Sequence, residues 1–274
     1  MTAMTLGGLY VPLITPFASD GSVAVAALHQ LAHDALDAGA AGLVALGTTA
    51  EPSALTGTER STVLDLLTNV TRDRSAQLIV GGPAVPGTAT AALTLVPPFL
   101  RPGEDGVVAH LTAVAARSPV PLVVYHVPYR TAQPLSVTAL HRIAAIDGVA
   151  GIKLATGGID ADVIALMADP PPGFTVLGGD DVVISPLLAL GAHGAILASA
   201  HVATGSYAGL VTSWEPALGH RLARLSAALF AEPNPTVIKA VLHAQGRIPT
   251  PDVRLPLLPA GTPSLAAALE AVPA

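Results

Sequence analysis

Gly148-Val149-Ala150-Gly151-Ile152-Lys153-Leu154-Ala155-Thr156 is a short apolar run, opened by glycine, with a lysine near its end. Apolar runs of this length bounded by glycine read as buried strands. The lysine is out of place. The chain has two lysines against eleven arginines, so its ordinary positive surface charge is carried by arginine. A lysine at the end of a buried strand is partly desolvated, which lowers its pKa and supplies a free amine. A free amine is the nucleophile of Schiff-base chemistry. Lys153 can equally be a strand-end residue with a buried stem and its head in water. The residues around it in the fold decide between the two.

Outward from that strand, the chain alternates. Apolar strand-like runs lie at 9–15, 41–46, 76–81, 93–96, 121–125, 149–153, 175–178 and 194–197. Helix-like segments lie between most of them, at 23–38, 58–70, 104–116, 136–145, 160–168 and 182–190. Eight strands in a βαβ rhythm predict a parallel sheet covered by helices. In one domain of this length they predict an α/β fold, the (β/α)8 TIM barrel. Residues 1–202 form the expected barrel. Residues 203–274 read as a C-terminal helical extension of two or three helices, packed on the barrel as one structural unit. The third βα unit is shortened. Eleven residues separate the third and fourth runs, and they include Pro83, Pro86 and Gly87. A crossover needs about 10–12 residues including its helix. At most a helical stub fits, at 88–92. Either the barrel lacks most of its third helix or residues are missing from the chain.

Composition bounds the function. The chain is 51% hydrophobic and 12% charged, with a net charge of −6. The acidic balance, without a basic stripe, argues against nucleic acid. No apolar run reaches the roughly 18 uninterrupted residues of a membrane span. The N-terminus has no basic stretch followed by a long apolar one, so no signal peptide is expected and a cytoplasmic location is. Cysteine is absent, which excludes disulfides and thiolate metal sites. His126 and His201 are isolated in sequence, and no metal site is expected.

In such barrels the reacting groups gather at the carboxyl ends of the strands. Those ends carry Thr15, Gly47-Thr48-Thr49-Ala50-Glu51, Tyr125-His126-Val127-Pro128-Tyr129-Arg130, Lys153 and Gly178-Gly179-Asp180-Asp181. Polar groups therefore converge on one rim around a lysine. Each has a structural alternative. Thr48 and Thr49 can form a helix-entry turn. Tyr125 can be an aromatic at the core boundary, Arg130 a solvated loop charge, and Glu51 a turn or supporting residue. Asp180 and Asp181 read best as the cap and first-turn acid of the helix that follows.

Taken together, VPLITPF, GTTAEPSALTGTER, YHVPYRT, GIKLATG, LGGDD, GAHGAILAS and AEPNP resemble the dihydrodipicolinate synthase / N-acetylneuraminate lyase family of class I aldolases. The segments occur in the family's order and cover nearly the whole chain. The resemblance implies a (β/α)8 barrel with a C-terminal helical region, assembled as a homodimer or homotetramer. It implies pyruvate bound as a Schiff base, with no metal and no organic cofactor. Lys153 stands at the Schiff-base position and Tyr125 at that of the proton-shuttling phenol. Thr48 and Thr49 stand where the pyruvyl carboxylate is held, Thr48 also serving the proton relay. Ile196 and Gly179 line the pocket from the eighth and seventh strands. Arg130 stands where the synthase branch receives the carboxylate of aspartate 4-semialdehyde, and the AEPNP segment also leans to that branch. A guanidinium suits a planar carboxylate because it binds both oxygens.

Three positions depart from the family pattern. Its strand-4 segment carries two adjacent tyrosines, the second reaching a partner subunit's site. Here they are Pro98 and Phe99, and Phe99 cannot carry a proton. Ala50 replaces a glycine, at a cost of about 1 kcal/mol if the position needs a positive φ. The short third unit removes a segment bordering the dimer interface and the lysine-inhibitor site. The expected activity is a pyruvate-dependent lyase, most like dihydrodipicolinate synthase acting on pyruvate and aspartate 4-semialdehyde. A retro-aldolase of another 2-oxo acid, such as 4-hydroxy-2-oxoglutarate or a sugar acid, is a second candidate within that class. A weakly catalytic binding or scaffolding paralogue is a candidate of another class. Gly57, Arg60 and Pro98 occupy positions that regulated members use for lysine, so lysine should not inhibit. A titration with lysine is expected to show no saturable binding; saturation at a dimer interface would contradict this.

Overall fold

The computed structural model describes residues 6–84 and 86–273. Eight parallel strands close into a barrel in sequence order. They are β1 (Gly8–Pro12), β2 (Gly42–Ala45), β3 (Gln77–Gly81), β4 (Ala91–Leu95), β5 (Leu122–His126), β6 (Val149–Leu154), β7 (Thr175–Gly178) and β8 (Gly194–Ile196). The helices between them are α1 (Val25–Asp37), α2 (Gly57–Asp73), α3 (Gly103–Ala115), the single turn α4 (Pro128–Thr131), α5 (Val137–Ala144), α6 (Ala161–Ala168) and α7 (Ile184–Ala189). The barrel predicted from the alternation is therefore the fold of the chain.

Period-2 alternation sorts the strand residues. Tyr10, Val44, Ile79, Leu93, Val123, Tyr125, Leu177 and Ile196 pack together inside the barrel. Leu9, Val11, Leu43, Ala45, Leu78 and Val80 face the surrounding helices. Local chemistry starts the helices where the sequence places them. Thr56 caps α2 in a capping box: its hydroxyl accepts from Glu59 N, and the Glu59 carboxylate accepts from Thr56 N. Ser136 and Asp160 cap α5 and α6 in the same donor-satisfying way.

The third unit is the exception. β3 ends at Gly81 and β4 begins at Ala91, with no helix among the described residues between them. The expected stub at 88–92 does not form. Gly82 and Gly87 sit at φ +92° and +76°, Pro83 and Pro86 lack an N–H, and the stretch is too short for a helix that could cover both strands. The connection is pinned by Thr90, whose N–H donates to Leu78 O at 2.7 Å while its hydroxyl accepts from Leu78 N at 3.1 Å.

After β8 come α8 (Ala200–Thr212), α9 (Pro216–Leu229), α10 (Thr236–Ala244) and α11 (Thr262–Ala271). The expected boundary after residue 202 falls inside α8, at a kink where Ala203 takes φ −139°, ψ 50°. One apolar cluster runs from Leu9, Val11 and Leu43 in the barrel through Leu222, Val237, Val241 and Ala268. None of the described helices is long and apolar enough to cross a membrane.

The chain's second lysine joins these parts. Lys239, in α10, is fully buried, and its Nζ donates to Glu51 Oε1 at 2.7 Å. Glu51 Oε2 accepts from Arg254 N at 2.7 Å. The ring of Phe17 lies between two cations, with Lys239 Nζ 4.1 Å and Arg254 Cζ 4.3 Å from its centroid. Arg254 also makes a bidentate pair with Glu59, at 2.8 and 2.5 Å. Burial lowers the Lys239 pKa to about 8, against the raising effect of Glu51. Removing one partner strands a buried charge, so Lys239→Met should destabilise the fold by about 3–5 kcal/mol in urea unfolding. Adding Glu51→Gln should recover part of that loss.

Candidate active site

Lys153 is the fifth residue of β6 and is 6% exposed. It pairs in register with Tyr125 on β5 and Leu177 on β7. Its Nζ stands 4.4 Å from the centroid of the Tyr125 ring. Burial lowers its pKa to about 8, opposed by Asp181 and Asp180 and helped by Arg130. A much larger fraction of amine is therefore free near neutrality than an exposed lysine would offer. The desolvated reading of Lys153, rather than the snorkelling one, describes the structure.

A cavity of about 360 Å³ opens over this amine at the carboxyl end of the barrel. Thr48, Thr49, Tyr125, Arg130, Gly179 and Ile196 all line it with Lys153. All seven residues singled out in the sequence thus come together. Burial raises the Tyr125 pKa; the charge of Arg130 and a hydrogen bond with the Thr48 side chain oppose that rise. The phenol is protonated at neutral pH and already linked to a hydroxyl. Thr48 and Thr49 open a 3-10 turn, Thr48–Ala50, whose first internal bond runs from Ala50 N to Gly47 O at 2.9 Å. Their own N–H groups precede that bond, which suits a carboxylate. Ile196 ends β8 inside the barrel and gives the cavity an apolar wall. Arg130 stands exposed on α4, its guanidinium 5.9 Å from the Tyr129 ring centroid.

Gly179 is small for a definite reason. A Cβ there would lie 2.6 Å from Lys153 Cε, 2.7 Å from Cγ and 3.0 Å from Leu154 O. The glycine makes the slot in which the lysine lies.

Asp180 and Asp181 stand where the sequence reading puts them, at the N-cap and in the first turn of the 3-10 turn Asp181–Val183, but without a side-chain cap bond. Both line the cavity. Asp181 is 4% exposed, its Oδ2 accepts from Ser199 N at 2.6 Å, and burial raises its pKa to about 6. Asp180 Oδ2 accepts from Gly157 N at 2.5 Å. Both carboxylates also act electrostatically on Lys153. Sequence reasoning also missed Asn234, whose Nδ2 donates to Thr49 Oγ1 at 2.9 Å and which lines the cavity. Its only signal was its place in the AEPNP segment. Glu51 proves to be both a turn residue, at φ 55°, and a support for the loop through Lys239.

The concern over Ala50 does not arise. The positive φ falls on Glu51, while Ala50 sits buried in the 3-10 turn. Phe99 lies apart from the lysine. It is 88% exposed at φ +70° and borders a second cavity beside Thr48 and Tyr125. His201 is neutral by design of its surroundings: Nε2 accepts from Ile14 N at 3.1 Å, Nδ1 bonds Ala198 O at 2.9 Å, and burial lowers its pKa to about 4.

The chain matches the dihydrodipicolinate synthetase family model over residues 5–272. It is 33% identical to the 4-hydroxy-tetrahydrodipicolinate synthase of Syntrophus aciditrophicus over 273 residues, 91% of each chain. It is 31% identical to that of Moorella thermoacetica over 276 residues, 93% of each. Its fold superposes on the dihydrodipicolinate synthase of Thermotoga maritima with a TM-score of 0.91, 26% identity and 98% of each chain covered. The Acinetobacter baumannii enzyme, solved with pyruvate, gives 0.90 at 31% identity, covering 98% of this chain and 99% of that one. The chain belongs to the dihydrodipicolinate synthetase family.

Two outcomes follow from the geometry. Gly179→Ala should leave the protein folded but displace Lys153, lowering the rate of imine formation with pyruvate by about 100-fold, since misplacement by an ångström has effects of that size. In the unaltered protein that rate should rise with pH through about 8 and then level, because the free amine is the reacting form. Rapid-mixing absorbance over a pH series measures both.

Proposed function

We propose that the protein condenses pyruvate with aspartate 4-semialdehyde through a Schiff base on Lys153, the reaction for which its curated relatives are named. The observation that carries this is a buried lysine of lowered pKa beside a buried phenol, at the carboxyl end of a closed barrel. The free amine of Lys153 attacks the carbonyl carbon of pyruvate, and loss of water gives the iminium. Thr48 and Thr49 hold the pyruvyl carboxylate, with Asn234 fixing the Thr49 hydroxyl. The iminium draws electrons, so a methyl proton leaves and an enamine forms. Tyr125 exchanges protons with the reacting atoms and Thr48 takes its place in the relay. Arg130, exposed at the mouth, receives the carboxylate of the incoming aldehyde. The enamine carbon then attacks the aldehyde, and hydrolysis or ring closure frees Lys153. Every step uses groups of this chain, without a metal or an organic cofactor.

The proposal extends to assembly and place. Phe99, Leu100, Leu255 and Leu258 are large apolar side chains exposed by 88%, 80%, 77% and 67%. Phe99 and Leu255 border one cavity; exposed apolar surface of this kind marks an interaction surface, and a homodimer or homotetramer fits it, with a cytoplasmic location proposed beside it. One solved relative, with a TM-score of 0.90, is described as the first monomeric dihydrodipicolinate synthase variant.

Borohydride reduction in the presence of pyruvate, followed by peptide mapping, tests the reading. A reduced pyruvyl adduct on Lys153, absent in Lys153→Ala, is expected. A folded protein that takes no adduct would return the binding-protein alternative to the lead. An adduct without turnover of aspartate 4-semialdehyde would redirect the search to other 2-oxo acids.

A further inference from the structure

Two histidines on the outer face of α1 form a cluster apart from the cavity over Lys153. Leu28, Leu31, Ala32 and Ala35 of this helix turn into the core. That leaves His29 and His33, at i and i+4, side by side on the outer face, the first exposed and the second half-buried. Their ring centroids lie 4.5 Å apart and their Nε2 atoms 3.3 Å apart. Arg74, the residue just past α2, decides where the protons sit. A guanidinium only donates, so Arg74 Nη1, 3.0 Å from His33 Nδ1, makes that nitrogen an acceptor. The proton of His33 is therefore on Nε2, which donates to the bare Nε2 of His29. The same guanidinium pairs with Asp37, one turn beyond His33 on the same face.

We propose that His29 and His33 form a two-histidine site for zinc or a similar divalent transition ion, which takes the place of the proton between their Nε2 atoms and competes with Arg74 for His33. The separation fits such an ion. Zinc lies about 2.0–2.1 Å from an imidazole nitrogen, so a tetrahedral ion holds two of them about 3.3 Å apart. Histidines at i and i+4 on one helical face are the pairing that metal-binding helices use. Among the described residues, no group of three or more His, Cys, Asp or Glu is placed to hold an ion. The protein therefore gives two ligands, and water at the exposed His29 side completes the coordination. Binding through His33 Nε2 moves the proton of that ring to Nδ1 through solvent, with no net gain or loss of protons. Nδ1–H then faces a guanidinium, donor against donor, so Arg74 withdraws. Asp37, already beside that guanidinium, can take Nδ1–H in its place, as carboxylates do behind ligating histidines. The site is independent of the imine chemistry on Lys153.

The test is calorimetric titration of the chelator-treated full chain with zinc, beside magnesium, which prefers oxygen ligands and should show no such binding. A saturable zinc site is expected. Either His29→Ala or His33→Ala should weaken it at least about tenfold, since even the outer partners of a ligating histidine are worth about 10–100-fold. Arg74→Met should tighten it, because the competing donor is gone. His29→Ala alters an exposed side chain, and its urea unfolding midpoint should match that of the unaltered protein, which separates loss of the site from loss of the fold. The absence of saturable zinc binding, or equal binding of magnesium, overturns the proposal without any variant. Undiminished binding in His29→Ala also overturns it and places the ion on other surface histidines. Unchanged or weaker binding in Arg74→Met overturns the competition with Arg74.

Discussion

The ion pair between Glu51 and Lys239 is the constraint on which the site depends. Glu51 follows directly on the turn that carries Thr48 and Thr49, and it holds a left-handed backbone conformation that costs a non-glycine residue about 1–2 kcal/mol. A buried ammonium and the Arg254 N–H, one on each carboxylate oxygen, keep it there. Lys239 lies on α10 and Asn234 just before it, so the same C-terminal segment fixes both Glu51 and the Thr49 hydroxyl. The barrel supplies the groups that react, and the C-terminal helices hold the turn that binds. A buried pair of this kind is weak support for stability but strong support for geometry, because its partners tolerate no displacement. Phe17, whose ring meets both Lys239 and Arg254, extends the same constraint to the segment that follows β1.

The two lysines of the chain show one cause with two outcomes. Both are buried, and burial lowers both pKa values to about 8. Lys239 is answered by a carboxylate at 2.7 Å, so its nitrogen is engaged in a buried pair. Lys153 has Asp181 and Asp180 as electrostatic partners, but Asp181 is itself held by Ser199 N and its pKa is raised to about 6. The amine of Lys153 therefore keeps its lone pair within reach while its partners can still favour the iminium once it forms. The slot beside Gly179 sets the direction in which that lone pair points.

Much of this was legible in the sequence, and for identifiable reasons. The eight strands announce themselves as apolar runs bounded by turn residues, and the strand-end rule puts Thr48, Tyr125 and Lys153 on one rim. Asp180 and Asp181 occupy the helix-start positions that an Asp-Asp pair before an apolar run predicts. That both also line the cavity over Lys153 is set by the three-dimensional path of the loop, beyond any local pattern. Asn234 and Lys239 could not be placed because they act across a sequence separation of 185 and 188 residues. No local pattern records such a pairing. Whether position 50 needs a positive φ is decided only by the backbone geometry, which puts that φ on its neighbour Glu51.

The missing third helix would be expected to damage a barrel whose site is built from many strands. It does not, because the loss is confined by the topology. β3 and β4 keep an unbroken parallel register, Ile79 with Ala91, Val80 with Ala92 and Gly81 with Leu93. Thr90 closes the shortened connection by bonding Leu78 on both its polar groups. The side chains that meet over Lys153 come from the ends of β2, β5, β6, β7 and β8 and from the segment before α10. Among the described residues, none comes from the β3 connection. Beside the short connection lies a groove lined by Pro83, Ala84, Ala92, Val114 and Leu122. Ala92, which packs outside the barrel interior with Ala115 and Leu122, leaves little apolar surface for a helix to cover. A barrel built from separately supported βα units can lose one cover on its outside while its inside stays whole.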